Sequence, residues 1–312
     1  MSGTAGRGVH RRAGLLAGAL ALGSMVLPSE APGQAVAAAD TAGLMATVRA
    51  LAADSMEGRR IGTPGGARAR AYLLRRLAAL GIPPLATGYR QPVVAKDTVR
   101  GENLLGVIRG TRHPDRYIVL SAHYDHMGIQ RGQIYNGADD NASGVAAVLA
   151  IAITLLRTPL DHSVIIALLD GEETGLLGAR AFLEAKPVPP DAVVLNVNLD
   201  MVGHSESGEL WAAGTSHTPA LRPALDSVAA IAPVRLRFGH DRPGVAGQQN
   251  WTNSSDHGPF HAAGIPFVYF GVEDHQDYHK PTDDPETITP AFFGRAVGTV
   301  LAALRRLDRV VR

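Results

Sequence analysis

The chain has 312 residues, 46% of them hydrophobic and 19% charged, a composition of globular proteins and not of disordered or fibrous ones. Its 30 Lys and Arg nearly balance 29 Asp and Glu, and no basic run appears, so there is no electrostatic case for nucleic acid as a partner. Cysteine is absent, which excludes disulfides, thiolate metal sites and Cys nucleophiles, and leaves 12 histidines and the carboxylates to build any transition-metal site.

In chain order, residues 1–39 read as a secretory signal peptide. Arg7, Arg11 and Arg12 precede the apolar run Ala13 to Leu27, and the small residues Ala35 to Ala39 offer a cleavage site near 37–39. The run is too short and too rich in Gly and Ala to span a bilayer comfortably. An exported protein, periplasmic or extracellular and without a stable membrane span after cleavage, is therefore expected. The pair Arg11-Arg12 also permits twin-arginine export.

Residues 40–312 are expected to form one catalytic domain. Leu44, Val48 and Leu51 have helical spacing within Thr41 to Ala53, and Ala67 to Leu80 reads as a second helix closed by Gly81. Short continuous apolar runs follow at Tyr117–Ala122, Val164–Leu169, Val193–Leu199 and Pro266–Phe270. Such runs suit strands buried on both faces. Ser143 to Arg157 is a crossover helix candidate, and Pro290 to Val311 a closing helix. The alternation predicts an α/β sandwich with a mostly parallel sheet.

Unusual polar residues stand just after each run. His123-Tyr124-Asp125 follows the first, Asp170-Gly171-Glu172-Glu173 the second and Asp200 the third, with Tyr278-His279 a few residues beyond the fourth. Asp139-Asp140-Asn141 directly precedes the crossover helix. Open α/β sheets gather ligands at the carboxyl ends of their strands, so these residues should converge.

His123, Asp140, Glu173, Asp200 and His279 have the composition of a metal centre suited to Zn²⁺, or to Mn²⁺ or Co²⁺. Five donors exceed one open tetrahedral site and suit two ions sharing a bridging carboxylate. Charge agrees: two divalent cations, three carboxylates and a hydroxide sum to zero. Adjacent Glu172 and Glu173 should divide the work, with Glu173 on metal and Glu172 free as general base. Asp125, two residues beyond His123, is placed to orient its ring. His126, His257, His261 and His275 lie near these segments without an assigned role, whereas His204, His217 and His240 read as ordinary.

The segments Ala122–Gly128, Asn136–Gly144, Gly171–Gly178, Asn198–Gly203, Ser255–Phe260 and Tyr278–Asp283, with the earlier Met56–Gly65, resemble the secreted bacterial zinc aminopeptidases. These are co-catalytic di-zinc exopeptidases related to leucyl aminopeptidase, glutamate carboxypeptidase, transferrin receptor and glutaminyl cyclase. The similarity runs from about residue 42 to residue 305. It implies a three-layer α/β sandwich with a mixed, mostly parallel sheet. By resemblance, His123 and Asp200 would bind one zinc, Glu173 and His279 the other, and Asp140 would bridge. Glu172 would be the general base, Asp125 the ring-orienting carboxylate and Tyr278 a donor to the oxyanion. The implied activity is removal of N-terminal residues from peptides with a free N-terminus.

Trp251 in the loop Phe238 to Asn253, with Met201 and Phe270, would set a preference for Leu, Phe or Met. Glutaminyl cyclisation on the same scaffold, a carboxypeptidase-type exopeptidase and a metal-free binding module are the competing readings. Gly203-His-Ser-Glu-Ser207 lacks the second glycine of a serine-hydrolase elbow.

Overall fold

The computed structural model describes residues 1–6, 36–95 and 99–312. The apolar run Ala13 to Leu27 of the expected signal peptide lies outside the described residues. The described residues from 36 onward belong to one compact unit.

Helix α1 (Thr41–Leu51) starts at Asp40, whose carboxylate accepts the Ala42 N–H at 3.0 Å, and it buries Leu44, Val48 and Leu51. Helix α2 (Pro64–Ala79) starts three residues before the expected Ala67. Thr63 caps it by accepting the Gly66 N–H, and Pro64 occupies the first turn, where a missing N–H costs nothing. There follow β1 (Arg90–Ala95), β2 (Val99–Ile108), β3 (His113–His123) and the small hairpin β4 (Gly128–Gln130) and β5 (Gln133–Tyr135). Next come α3 (Gly144–Arg157), β6 (His162–Leu169), α4 (Leu177–Ala185), β7 (Val193–Leu199), β8 (Glu209–Ala213) and α5 (Arg222–Ala229). The chain ends with β9 (Arg235–Phe238), α6 (His257–Ala262), β10 (Phe267–Gly271) and α7 (Pro290–Asp308).

Eight strands form one sheet in the order β1-β2-β6-β3-β7-β10-β8-β9. The centre, β6, β3, β7 and β10, is parallel, while β1, β2 and β8 join antiparallel. The sheet is thus mixed and mostly parallel at its core. Side chains of β6 alternate between the faces. Val164, Ile166 and Leu168 pack with α1, α2, α3, α5 and α7 on one side. Ile165, Ala167 and Leu169 pack with Phe182 of α4 and Phe260 of α6 on the other. The result is three layers, and each such fully buried aliphatic side chain contributes about 1.5–3 kcal/mol.

The four central strands coincide with the four apolar runs, because a strand covered on both faces must be apolar throughout. The flanking strands β1, β2, β8 and β9 were not identified from the sequence, although β2 carries the buried apolar stretch Leu104–Ile108 and β8 the stretch Leu210–Ala213. Among the described residues, one stretch, Ala138–Arg157, is long and apolar enough to cross a membrane, and it is mostly buried in the core.

Candidate metal centre

Three parallel strands end together and deliver the polar residues to one place. His123 closes β3, Asp170 follows β6 and Asp200 follows β7. Glu172 and Glu173 lie on a turn between Gly171 and Leu177, not on a helix. Leu177 N–H bonds the Gly171 carbonyl to close it. Gly171 has φ +78°, which favours glycine there. Asp140 lies in the irregular turn before α3. Its N–H and that of Asp139 donate to the buried Asp283 carboxylate at 3.0 and 2.9 Å.

The two oxygens of Asp140 face different partners. Oδ1 lies 3.4 Å from His123 Nε2, which is 3.2 Å from Asp200 Oδ1. Oδ2 lies 3.1 Å from His279 Nε2, which is 3.5 Å from Glu173 Oε2. Donors about 2.0–2.1 Å from a tetrahedral ion sit about 3.3 Å from one another. The observed separations have that size, so all five sequence-derived ligand positions meet in one cluster that could hold metal.

The other expected residues adjoin it. His123 Nδ1 is 3.2 Å from the Asp125 main-chain carbonyl and 3.8 Å from its carboxylate. The carboxylate instead accepts the Glu172 N–H at 3.0 Å, so Asp125 steadies both the imidazole and the turn that carries Glu172. Burial pushes the Glu172 carboxyl well above the usual range, and the Asp200, Asp256 and Glu173 charges add to the shift. Tyr278 stacks on His279 with ring centroids 3.9 Å apart. Burial and the neighbouring carboxylates raise its pKa, so the phenol keeps its proton.

His126 belongs to the cluster although sequence reasoning gave it no role. It is fully buried, and burial lowers its pKa to about 3, so the ring is neutral. Its Nδ1 lies 2.7 Å from Glu173 Oε1 and 3.7 Å from Asp140 Oδ2. The close pair does not align as a hydrogen bond: both ring nitrogens and Glu173 Oε1 are buried without a hydrogen-bond partner. The spacing His123-x-x-His126 was the available signal.

Arg59, also fully buried, fastens the surrounding loops. It donates to the carbonyls of Tyr124 (2.8 Å), Leu51 (2.9 Å), Gly137 (2.9 Å) and Asn136. His204, read as ordinary, forms a second group with His275 and Asp277, their donor atoms within 4.8 Å of one another. The His204 and His275 rings stack 4.3 Å apart and nearly parallel, so their in-plane lone pairs do not converge. His275 Nε2 also meets Asp139 at 3.2 Å. His257 bonds the Trp251 carbonyl, and His261 packs on Phe267.

A cleft of about 330 Å³ opens over the cluster, lined by Glu172, Met201, Trp251, Tyr269, Val272 and Tyr278 among others. Phe270, expected there, is fully buried in the core instead. Strand alternation turns Tyr269, its neighbour on β10, toward the cleft.

Fold and donor set define an α/β protein with a histidine–carboxylate centre at the carboxyl ends of its parallel strands. The chain belongs to peptidase family M28, whose profile matches residues 103–304. It is 30% identical over 228 residues to aminopeptidase YwaD of Bacillus subtilis (strain 168), an alignment covering 65% of this chain and 44% of that one. The chain spans about half the length of the curated relatives it matches. Among solved structures, a zinc aminopeptidase from Bacillus subtilis superposes with TM-score 0.69 at 18% identity, covering 88% of this chain and 96% of the other. A glutaminyl cyclase from Porphyromonas gingivalis does so with TM-score 0.70 at 20% identity, covering 86% and 98%. At such identities the two superpositions speak for the fold alone.

Proposed function

We propose that this chain is an exported zinc aminopeptidase holding two zinc ions and removing N-terminal residues from peptides. The observation that carries the reading is the divided Asp140 carboxylate, one oxygen toward His123 and the other toward His279. Family membership, and the resemblance to an aminopeptidase over 65% of the chain, support it. The charged, apolar and small-residue order of residues 1–39 supports export.

The residues fit the metal. Imidazole and carboxylate without thiolate are a usual donor set for catalytic zinc. Buried, unpartnered Glu173 Oε1 and His126 Nδ1 lie 2.7 Å apart, an arrangement that a shared cation would stabilise. His123 and Asp200 would hold one ion, Glu173 and His279 the other, with Asp140 between them. When bound, the metal pair supplies Lewis-acid chemistry, acidifying water and polarising a carbonyl.

The chain's own groups move the protons. The Glu172 carboxylate takes a proton from the attacking water as its oxygen bonds the scissile carbonyl carbon. Glu172 then returns that proton to the departing amine nitrogen as the C–N bond breaks. The Tyr278 hydroxyl, still protonated, donates to the oxygen that gains charge, and its stack on His279 aims it. Met201, Trp251, Tyr269 and Val272 present an apolar wall for the substrate's first side chain.

One comparison tests the reading: zinc content measured beside hydrolysis of free-amino, N-acetylated and Gln-initiated peptides. About two zinc ions per chain and cleavage of the free-amino peptide alone are expected. Equal cleavage of the acetylated peptide would overturn it. Pyroglutamate formed from the Gln-initiated peptide would assign cyclase chemistry instead, and release of C-terminal residues a carboxypeptidase.

A further inference from the structure

His126 is unlike any other imidazole near the centre. His123, His257, His275 and His279 each place at least one ring nitrogen on a hydrogen-bonding partner. His126 is buried as completely as His123, yet neither of its nitrogens has a hydrogen-bond partner. A buried polar atom without a partner is costly, so two on one ring need a physical reason. Nδ1 points that reason out: Glu173 Oε1 lies 2.7 Å away and Asp140 Oδ2 3.7 Å away, with no hydrogen bond to either. The same two carboxylates face His279 Nε2 at 3.5 and 3.1 Å. The His126 and His279 ring centroids are 6.0 Å apart and tilted by 56°, as two imidazoles converging on a common point would be, not stacked as His204 and His275 are.

We propose that His126, through Nδ1, is a sixth donor at the Asp140–Glu173–His279 end of the centre, so that its two positions hold metal unequally. This rests on the metallopeptidase reading above. One position then has four protein donors, His126, Asp140, Glu173 and His279, and the other has three, His123, Asp140 and Asp200. The four-donor position fills first and tightly. The three-donor position keeps more open coordination and releases its ion more easily.

The test is stepwise Zn²⁺ binding to the metal-free full chain in competition with a chromophoric chelator. Wild type is expected to bind in two steps at least tenfold apart. In His126→Asn the side-chain amide retains a hydrogen-bond donor near the Nδ1 position but offers no imidazole lone pair. The tighter step is expected to weaken on the order of 100-fold, the upper end of what changes around a metal site cost, and the two steps to converge. Wild-type affinity for both ions in His126→Asn would overturn the proposal and leave His126 as a hydrogen-bonding neighbour of Glu173. Two equal steps in wild type would overturn it as well. Failure of wild type to bind Zn²⁺ at all would instead refute the metal reading beneath it. A second measurement needs no variant: one equivalent of ¹¹³Cd²⁺ added to wild type carrying ¹⁵N-labelled histidine. Scalar coupling from cadmium to both His126 and His279 is expected, and coupling that spares His126 would overturn the proposal.

Discussion

The buried Asp283 carboxylate holds Asp140 in place through the main chain, accepting its N–H at 3.0 Å and that of Asp139 at 2.9 Å across 143 and 144 residues of sequence. The segment that ends in Asp283 is the one that carries His279. Two proposed ligands, Asp140 and His279, from distant parts of the chain are thereby set against each other by a group outside the proposed donor set. Asp283→Ala removes both acceptors and leaves two buried N–H groups unpaired. A loss of about 1–3 kcal/mol in denaturant unfolding is expected, with zinc affinity falling about 10–100-fold in chelator competition.

Arg59 makes a second expectation. Its guanidinium is surrounded by four carbonyls, and its charge lies within reach of Asp140, Asp283, Asp125 and Glu173. The turn that presents it, Glu57 to Arg59, has three consecutive residues with positive φ, a strained course that its hydrogen bonds hold in place. Arg59→Met should destabilise the protein by about 3–5 kcal/mol, the range for breaking a buried charged network. Urea unfolding measures this, and a loss under 1 kcal/mol would contradict the bracing role.

Glu172 and Tyr278 separate chemistry from binding. Glu172→Gln should lower kcat by about 10²–10⁴-fold while zinc content stays at the wild-type level. Retained turnover would remove Glu172 from the proton path. Tyr278→Phe should lower kcat by about 10²-fold with KM little changed, the behaviour of a donor used in the transition state. A change confined to KM would make Tyr278 a binding residue.

Asp170 carries a pH expectation for stability. Burial raises its pKa from 3.8 to about 6, against the opposing pull of the Tyr124 hydroxyl, the Glu102 N–H and Arg70. The folded protein thus keeps this proton at pH values where the unfolded chain has released it. The contribution is complete below 3.8 and is lost as pH rises through 6. Asp170→Asn does not titrate, so it should gain on wild type by about 1–3 kcal/mol between pH 4 and pH 7. Unfolding free energies of both proteins at the two pH values decide it. A difference independent of pH would contradict the shift.

The central strands and the residues at their ends were legible because both signals are local. A strand covered on two faces is a continuous apolar run, and a ligand at its carboxyl end is the polar residue that interrupts the run. His123, Glu173 and Asp200 were singled out in that way, and the structure brings them together. Phe270 was misjudged because a run buried on both faces does not say which side chain turns toward the cleft, and Tyr269 takes that place. His126 had a local signal in its spacing to His123, but its meaning came only with Glu173, 47 residues away. Arg59 and Asp283 lay in segments that carry the family resemblance, but their bracing roles were not legible, since most of their partners are main-chain groups far along the chain.

Length, composition and pattern by themselves determined that the protein is an α/β sheet structure without thiol chemistry, and that any transition-metal site in it must be built from histidine and carboxylate. Tertiary structure alone decided which oxygen of Asp140 faces His123 and which faces His279, and that His126 stands beside Glu173. The physical reason is one of scale. Residue type and hydrophobic period are set by a few neighbours, whereas separations of 2.7 to 3.7 Å between side chains on loops at the ends of different elements depend on the register and twist of the whole sheet.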